Sequence, residues 1–156
     1  MKIDPLKKKY WPLYWGMAEL AASQSVATRH QVGAVVVTPT GMVSVGWNGM
    51  PPGLTNECEN EWVTELDKNG KTYQRRKTDP RVIHAERNAL DKMTNQGVPT
   101  EGSLLFVTRS PCFECSKAIH GLGLKAIVVD EAHDEAFGLK LLRDTGNTVI
   151  WRHAPN

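Results

Sequence analysis

The chain has 156 residues, 40% hydrophobic and 23% charged, which suits one soluble globular domain with a single core and excludes extensive disorder beyond the ends. No apolar run approaches the roughly 20 residues that span a bilayer, and no long apolar stretch follows Lys2, Lys7, Lys8 and Lys9, so neither a membrane partner nor a signal peptide is expected and the cytoplasm is the expected location. Three cysteines are too few and too unevenly placed for a disulfide framework, and a net charge of +2 suits an anionic small molecule as well as RNA.

The first element is a helix. Pro12 fits its first turn, where a missing N–H costs nothing, and Leu13, Met17, Leu20 and Ala21 fall at i, i+4, i+7 and i+8 as one apolar stripe expected to pack on the core. The β-branched run from Val32 to Thr38 predicts a buried strand. Pro39-Thr40-Gly41 is a turn signal, and Met42 to Gly46 is the returning strand of a hairpin. Trp47 to Gly53 is a loop by its glycine and proline content. Residues 54–80 are polar, with weak periodicity and a basic run at Arg75-Arg76-Lys77. They form a long insertion, expected as an excursion from one domain covering 1–156.

From residue 84 helices and strands alternate. His84 to about Met93 predicts a helix, Leu104–Thr108 a strand, and Cys112 to about His120 a helix ended by Gly121 and Gly123. Ala126–Val129 is a strand, Asp134 is a candidate cap for a helix running to Asp144, and Thr148–Trp151 is a last strand. This alternation implies parallel crossovers, hence an α/β fold: a mixed central sheet, an antiparallel hairpin beside parallel strands, with helices on both faces.

Two segments carry the chemistry: His84-Ala85-Glu86 and Pro111-Cys112-Phe113-Glu114-Cys115. Each opens a helix on the sheet, so the two N-termini can face one another. Cys112 and Cys115, at i and i+3, share a helix face, and first-turn side chains can converge to the roughly 3.8 Å that separates two thiolates on one zinc. The positive end of the helix favours thiolate over thiol. His84 supplies a third ligand, and three protein ligands leave a fourth position for water, the pattern of a catalytic zinc. Glu86 can reach that water without ligating the metal and serve as base and then acid. H-x-E followed by P-C-x-x-C is the known signature of zinc deaminases. The competing readings of the cysteines are a redox dithiol or half of a structural zinc site, for which Cys58 is the one spare thiol. His30, His120, His133 and His153 have no partner spacing and are expected to be surface or core histidines.

The blocks Val32-Gly33-Ala34-Val35-Val36, Gly46-Trp47-Asn48-Gly49-Met50-Pro51, His84-Ala85-Glu86-Arg87-Asn88-Ala89, Val107-Thr108 and Pro111-Cys112 together resemble the deoxycytidylate (dCMP) deaminase family, over about residues 12 to 150. The resemblance implies a three-layer α/β/α sandwich on a five-stranded mixed sheet, as in the cytidine deaminase fold. It implies a catalytic zinc and the conversion of dCMP to dUMP with release of ammonia. It also implies a homo-oligomer, commonly a hexamer, activated by dCTP and inhibited by dTTP, with Mg2+ as the companion of such a triphosphate effector. Asn48 matches the asparagine that contacts the nucleoside, and the Ala85 backbone is expected to accept from the departing amine. Arg29 matches an arginine of similar sequences and is the first choice for the phosphate, with Arg109 second; the plainer reading of either is a solvated surface arginine. Trp47 and Phe137 stand where relatives carry tyrosine. The nearest alternative is a tRNA adenosine deaminase, against which the 54–80 insertion and the lack of a strong basic patch both speak, so no nucleic-acid partner is expected. Further alternatives are other nucleoside or nucleotide deaminases, action on dCTP as well, and a non-catalytic zinc module, which would leave Glu86 without a task.

Overall fold

A computed structural model of the chain describes residues 3–133 and 136–153. In chain order the elements are α1 (Trp11–Gln24), β1 (Gly33–Val37), β2 (Val43–Trp47), β3 (Glu59–Leu66), β4 (Thr72–Thr78), α2 (Ala85–Asn95), β5 (Leu104–Arg109), α3 (Phe113–Ile119), β6 (Ala126–Glu131), α4 (Phe137–Asp144) and β7 (Val149–Trp151). The central sheet has five strands in the order β2-β1-β5-β6-β7. β1 runs antiparallel to both β2 and β5, while β5, β6 and β7 are parallel. The mixed sheet expected from the sequence is therefore present.

Alternation along the strands divides the core into two layers. Val35, Val37, Leu104, Phe106 and Val128 face α1, and Val36, Leu105, Val107, Ile127 and Val129 face α2, α3 and α4. The α1 face corrects the sequence reading. Leu13 and Leu20 are 56% and 69% exposed, while Tyr14, Trp15, Ala18 and Ala21 are buried. The rings decide the face: Trp11, Tyr14 and Trp15 surround Phe106 at centroid distances of 5.4, 5.5 and 5.4 Å. Each such pair contributes roughly 0.5–1.5 kcal/mol on top of the large area that each ring buries, a gain the Leu13–Leu20 face has no rings to match.

The insertion is also better ordered than an irregular excursion. β3 and β4 pair antiparallel as a two-stranded ribbon closed by a turn in which Asp67 Oδ1 accepts from Asn69 N at 2.8 Å and Lys71 N at 2.8 Å. Its strands carry no apolar alternation because most of their positions are exposed. The base of the ribbon is tied to the body. Asp79 N donates to Cys58 O at 2.7 Å, and Cys58 is buried against Ala27, Val82 and Met50. Asp134, the expected cap of the last helix, lies outside the described residues; α4 itself is present, with Ala136 at its N-cap position.

Candidate active site

Two helix starts meet beside the sheet. α2 is seated on β2 with little space between the backbones: a Cβ at Gly46 would come within 2.3 Å of Ala85 O and 2.5 Å of Ala89 N. Ser44 Oγ donates to Ala89 O at 2.6 Å and Asn88 Nδ2 to Trp47 O at 2.7 Å. Just before α2, Gly49 and Ile83 exchange backbone hydrogen bonds at 3.1 and 2.8 Å, which delivers His84 to its place. α3 is held in the same manner by α4, where a Cβ on Gly138 would meet Pro111 O at 2.4 Å.

His84 and Cys112 are the N-cap residues of α2 and α3, both with extended backbone. His84 Nδ1 lies 3.5 Å from Cys112 Sγ and 3.3 Å from Cys115 Sγ. Their ligand atoms all lie within 4.8 Å of one another, and no other such group of three occurs among the described residues. A tetrahedral zinc, with Zn–S near 2.3 Å and Zn–N near 2.0–2.1 Å, holds sulfur and nitrogen about 3.5 Å apart. His84 thus already stands at the spacing from both sulfurs that zinc requires, and two thiolates with one imidazole are a donor set that suits it. Cys58 is buried in a separate cluster and takes no part.

Hydrogen bonding couples the two cysteines to each other and to His84. The hydrogen bond from Cys115 is the largest influence pulling the Cys112 thiol down, to about 3, and the same bond pushes Cys115 far up. Both sulfurs would hold a cation as thiolates, so metal binding would release protons. Hydrogen bonding to Cys112 raises His84. Glu86, in the first turn of α2 and 3% exposed, has its carboxyl raised chiefly by burial.

A cleft of about 340 Å³ opens over these groups and is also lined by Asn48, Ala85, Arg29 and Arg109. Of the site residues expected from the sequence, all but Cys115 line this cavity, and Cys115 stands behind it against His84. Two of them differ in detail from expectation. Asn48 is already engaged: Oδ1 accepts from Val32 N at 2.9 Å and Nδ2 donates to His30 O at 2.8 Å, leaving one N–H and one lone pair for a ligand. The Ala85 carbonyl lies against Gly46, so its N–H, a first-turn donor, is the group it can offer the cavity. Sequence reasoning missed Glu59, His30 and His133, which also line the cleft; no motif marks them. Phe137, 66% exposed, does not line it.

The sequence pattern described as the cytidine and deoxycytidylate deaminase zinc-binding region matches residues 12–131. The chain belongs to this family. Deaminase chemistry and a zinc-binding region are thereby the family's, and His84, Cys112 and Cys115 are this member's candidate ligands. Mouse deoxycytidylate deaminase is 34% identical over 151 residues, covering 93% of this chain and 80% of that one. ComE operon protein 2 of Bacillus subtilis is 31% identical over 141 residues, covering 89% and 69%. The structure of dCMP deaminase from cyanophage S-TIM5 in complex with dCMP and dUMP superposes with a TM-score of 0.78 at 36% identity, covering 94% of this chain and 98% of that one. A tRNA wobble-position deaminase, at 15% identity and a TM-score of 0.57, shares the fold.

Proposed function

We propose that the chain is a zinc-dependent hydrolytic deaminase that converts dCMP and water to dUMP and ammonia. The observation that carries this reading is the convergence of His84, Cys112 and Cys115 beside a buried Glu86, in a cleft that two arginines also line. The cyanophage enzyme, similar along nearly the whole of both chains and described with dCMP and dUMP, supports the choice of a cytosine nucleotide.

His84, Cys112 and Cys115 would hold the zinc, which when bound supplies a water acidified from a pKa of 15.7 to about 7. Glu86 takes one proton from the attacking water and gives it to ring N3. It then takes the second from the new hydroxyl on C4 and gives it to the amine, which leaves as ammonia. One carboxyl serves both steps, and burial raises its pKa toward the working range of an acid–base group. The start of α2 adds partial positive charge where negative charge gathers. The Ala85 N–H is available to the 2-oxo group, and the remaining valences of Asn48 to the sugar. Arg29 and Arg109 provide the cations a 5′-phosphate requires.

Regulation by dCTP and dTTP, Mg2+ with such effectors, assembly into a homo-oligomer such as a hexamer, one domain over 1–156 and a cytoplasmic location belong to the same proposal, on the family resemblance. No helix among the described residues is long and apolar enough to cross a membrane. The test is ammonia release from dCMP, dCTP, deoxycytidine and a tRNA anticodon stem, each with and without dCTP and dTTP. dCMP is expected to be the preferred substrate; deoxycytidine turned over as efficiently would remove the phosphate from the reading, and preferential action on the RNA would replace it.

A further inference from the structure

The loop between α1 and β1 carries Arg29 into the cleft, and it is gripped from two sides. On one side stands Asn48, through His30 O and Val32 N, as described above. On the other stands Glu59, which comes from the inserted ribbon. Its carboxylate accepts from Thr28 N at 3.0 and 3.2 Å, from Thr28 Oγ1 at 3.1 Å and from Arg29 N at 3.1 Å. Glu59 sits where the β3–β4 register shifts, is 4% exposed, and lines the cleft.

We infer that Glu59 is a positioning residue through which the inserted ribbon fixes the Thr28–Arg29 loop for the substrate's 5′-phosphate. A carboxylate offers about four acceptor sites, and three donors of the loop, the Thr28 N–H shared between both oxygens among them, engage both oxygens, so Glu59 serves the loop. Its influence passes through the backbone of Arg29, whose side chain is exposed and reaches the cleft. Loss of the carboxylate leaves the Thr28 and Arg29 N–H groups without their acceptor and lets the loop adopt other conformations, which weakens binding to anything Arg29 holds. His84, Cys112, Cys115 and Glu86 stand on other elements and are unaffected. The inference rests on the reading of Arg29 as the phosphate contact.

The experiment is steady-state kinetics of the zinc-loaded full chain, with zinc content measured, on dCMP and on deoxycytidine. The proteins are wild type, Glu59→Gln, Arg29→Ala and the double variant. Glu59→Gln is expected to raise KM for dCMP about tenfold, the loss of a charge-assisted hydrogen-bond set, with kcat, zinc content and KM for deoxycytidine close to wild type. In the Arg29→Ala background it is expected to add nothing to KM for dCMP, because it acts through the group already removed. Equal effects on both substrates, additivity with Arg29→Ala, or an unchanged or lowered KM for dCMP would each overturn the inference. Arg29→Ala alone reports on the underlying reading: if it leaves KM for dCMP unchanged, the phosphate assignment fails and the inference falls with it. Should Glu59→Gln not fold, Thr28→Val, which removes only the hydroxyl donor, is expected to show the same substrate selectivity at a few-fold; a uniform effect there would overturn it as well.

Discussion

The two helix starts and the inserted ribbon both border one cleft, yet they are built on opposite terms. His84, Glu86, Cys112 and Cys115 stand on α2 and α3, pressed onto a sheet whose facing residues are wholly buried. The ribbon is mostly solvent-exposed and is tied down by a few polar contacts at its base. The core region therefore fixes atoms to the spacing that chemistry needs, while the ribbon can tune which substrate is held without disturbing that spacing. Changes in the two regions are therefore expected to have different signatures.

The largest effect belongs to the core. Removing the metal with a chelator should abolish deamination, and added zinc should restore it; a metal-free protein at full activity would refute the ligand assignment. Glu86→Ala should retain one zinc per chain but lose roughly 10²–10⁴-fold or more in kcat, the range for proton-transfer groups. Turnover at the wild-type rate would end the proton-shuttle role. Next, Gly138→Ala would drive a methyl into Pro111 O and the Ser116 hydroxyl, at 2.4 and 2.8 Å. Overpacking of that kind typically costs about 1–3 kcal/mol, and because it displaces the cysteine loop, zinc affinity should fall together with thermal stability. A variant of normal melting temperature and normal zinc affinity would show that the close approach of α4 does not hold the cysteines in place.

On the ribbon the effects should be smaller and selective. Trp62 is 62% exposed, with the Arg76 guanidinium 5.2 Å from its ring centroid. Trp62→Ala should leave kcat and zinc content unchanged and shift the melting temperature little, since exposed cation–π contacts contribute only about 0.5–1 kcal/mol. Loss of zinc in that variant would erase the distinction between the two regions.

The same contrast explains what could be read from the sequence. The metal group was legible because its residues lie in two short segments whose spacing is dictated by a helix start. The five-stranded sheet was legible because β1, β5 and β6 are buried runs of β-branched and aliphatic residues. The face of α1 was misread because Leu13 and Leu20 fit the helical period, whereas the aromatic side chains around Phe106 take the core. The ribbon was missed because a strand pair exposed on both faces has no apolar alternation to betray it. Glu59 was invisible for a different reason: its partners lie about thirty residues away, in a loop with no motif.

The smallest expected effect is a pH dependence confined to the attachment of the ribbon. Two buried carboxyls serve there. Burial alone would raise Glu59, but the N–H groups of Thr28 and Arg29 and the Thr28 hydroxyl outweigh it and hold the group below its ordinary value. Asp79 is lowered by its hydrogen bond from Arg81 and then by Asn60 and the Arg81 N–H. Opening of the ribbon base, which parts Glu59 from Thr28 and Arg29 and Asp79 from Asn60, lets both carboxyls move back toward ordinary values near 4.3 and 3.9, so the open form binds more protons. The attachment is at full strength above those values and is lost as pH falls through the lower values of the attached form. Hydrogen exchange corrected for intrinsic rates should therefore show the protection of β3, β4 and the Thr28 and Arg29 amides declining below about pH 4, while β1 and β5 keep theirs. Protection lost in parallel throughout the chain would mean that ribbon and core unfold as one unit, and that the ribbon cannot tune substrate binding independently of the metal-bearing helices.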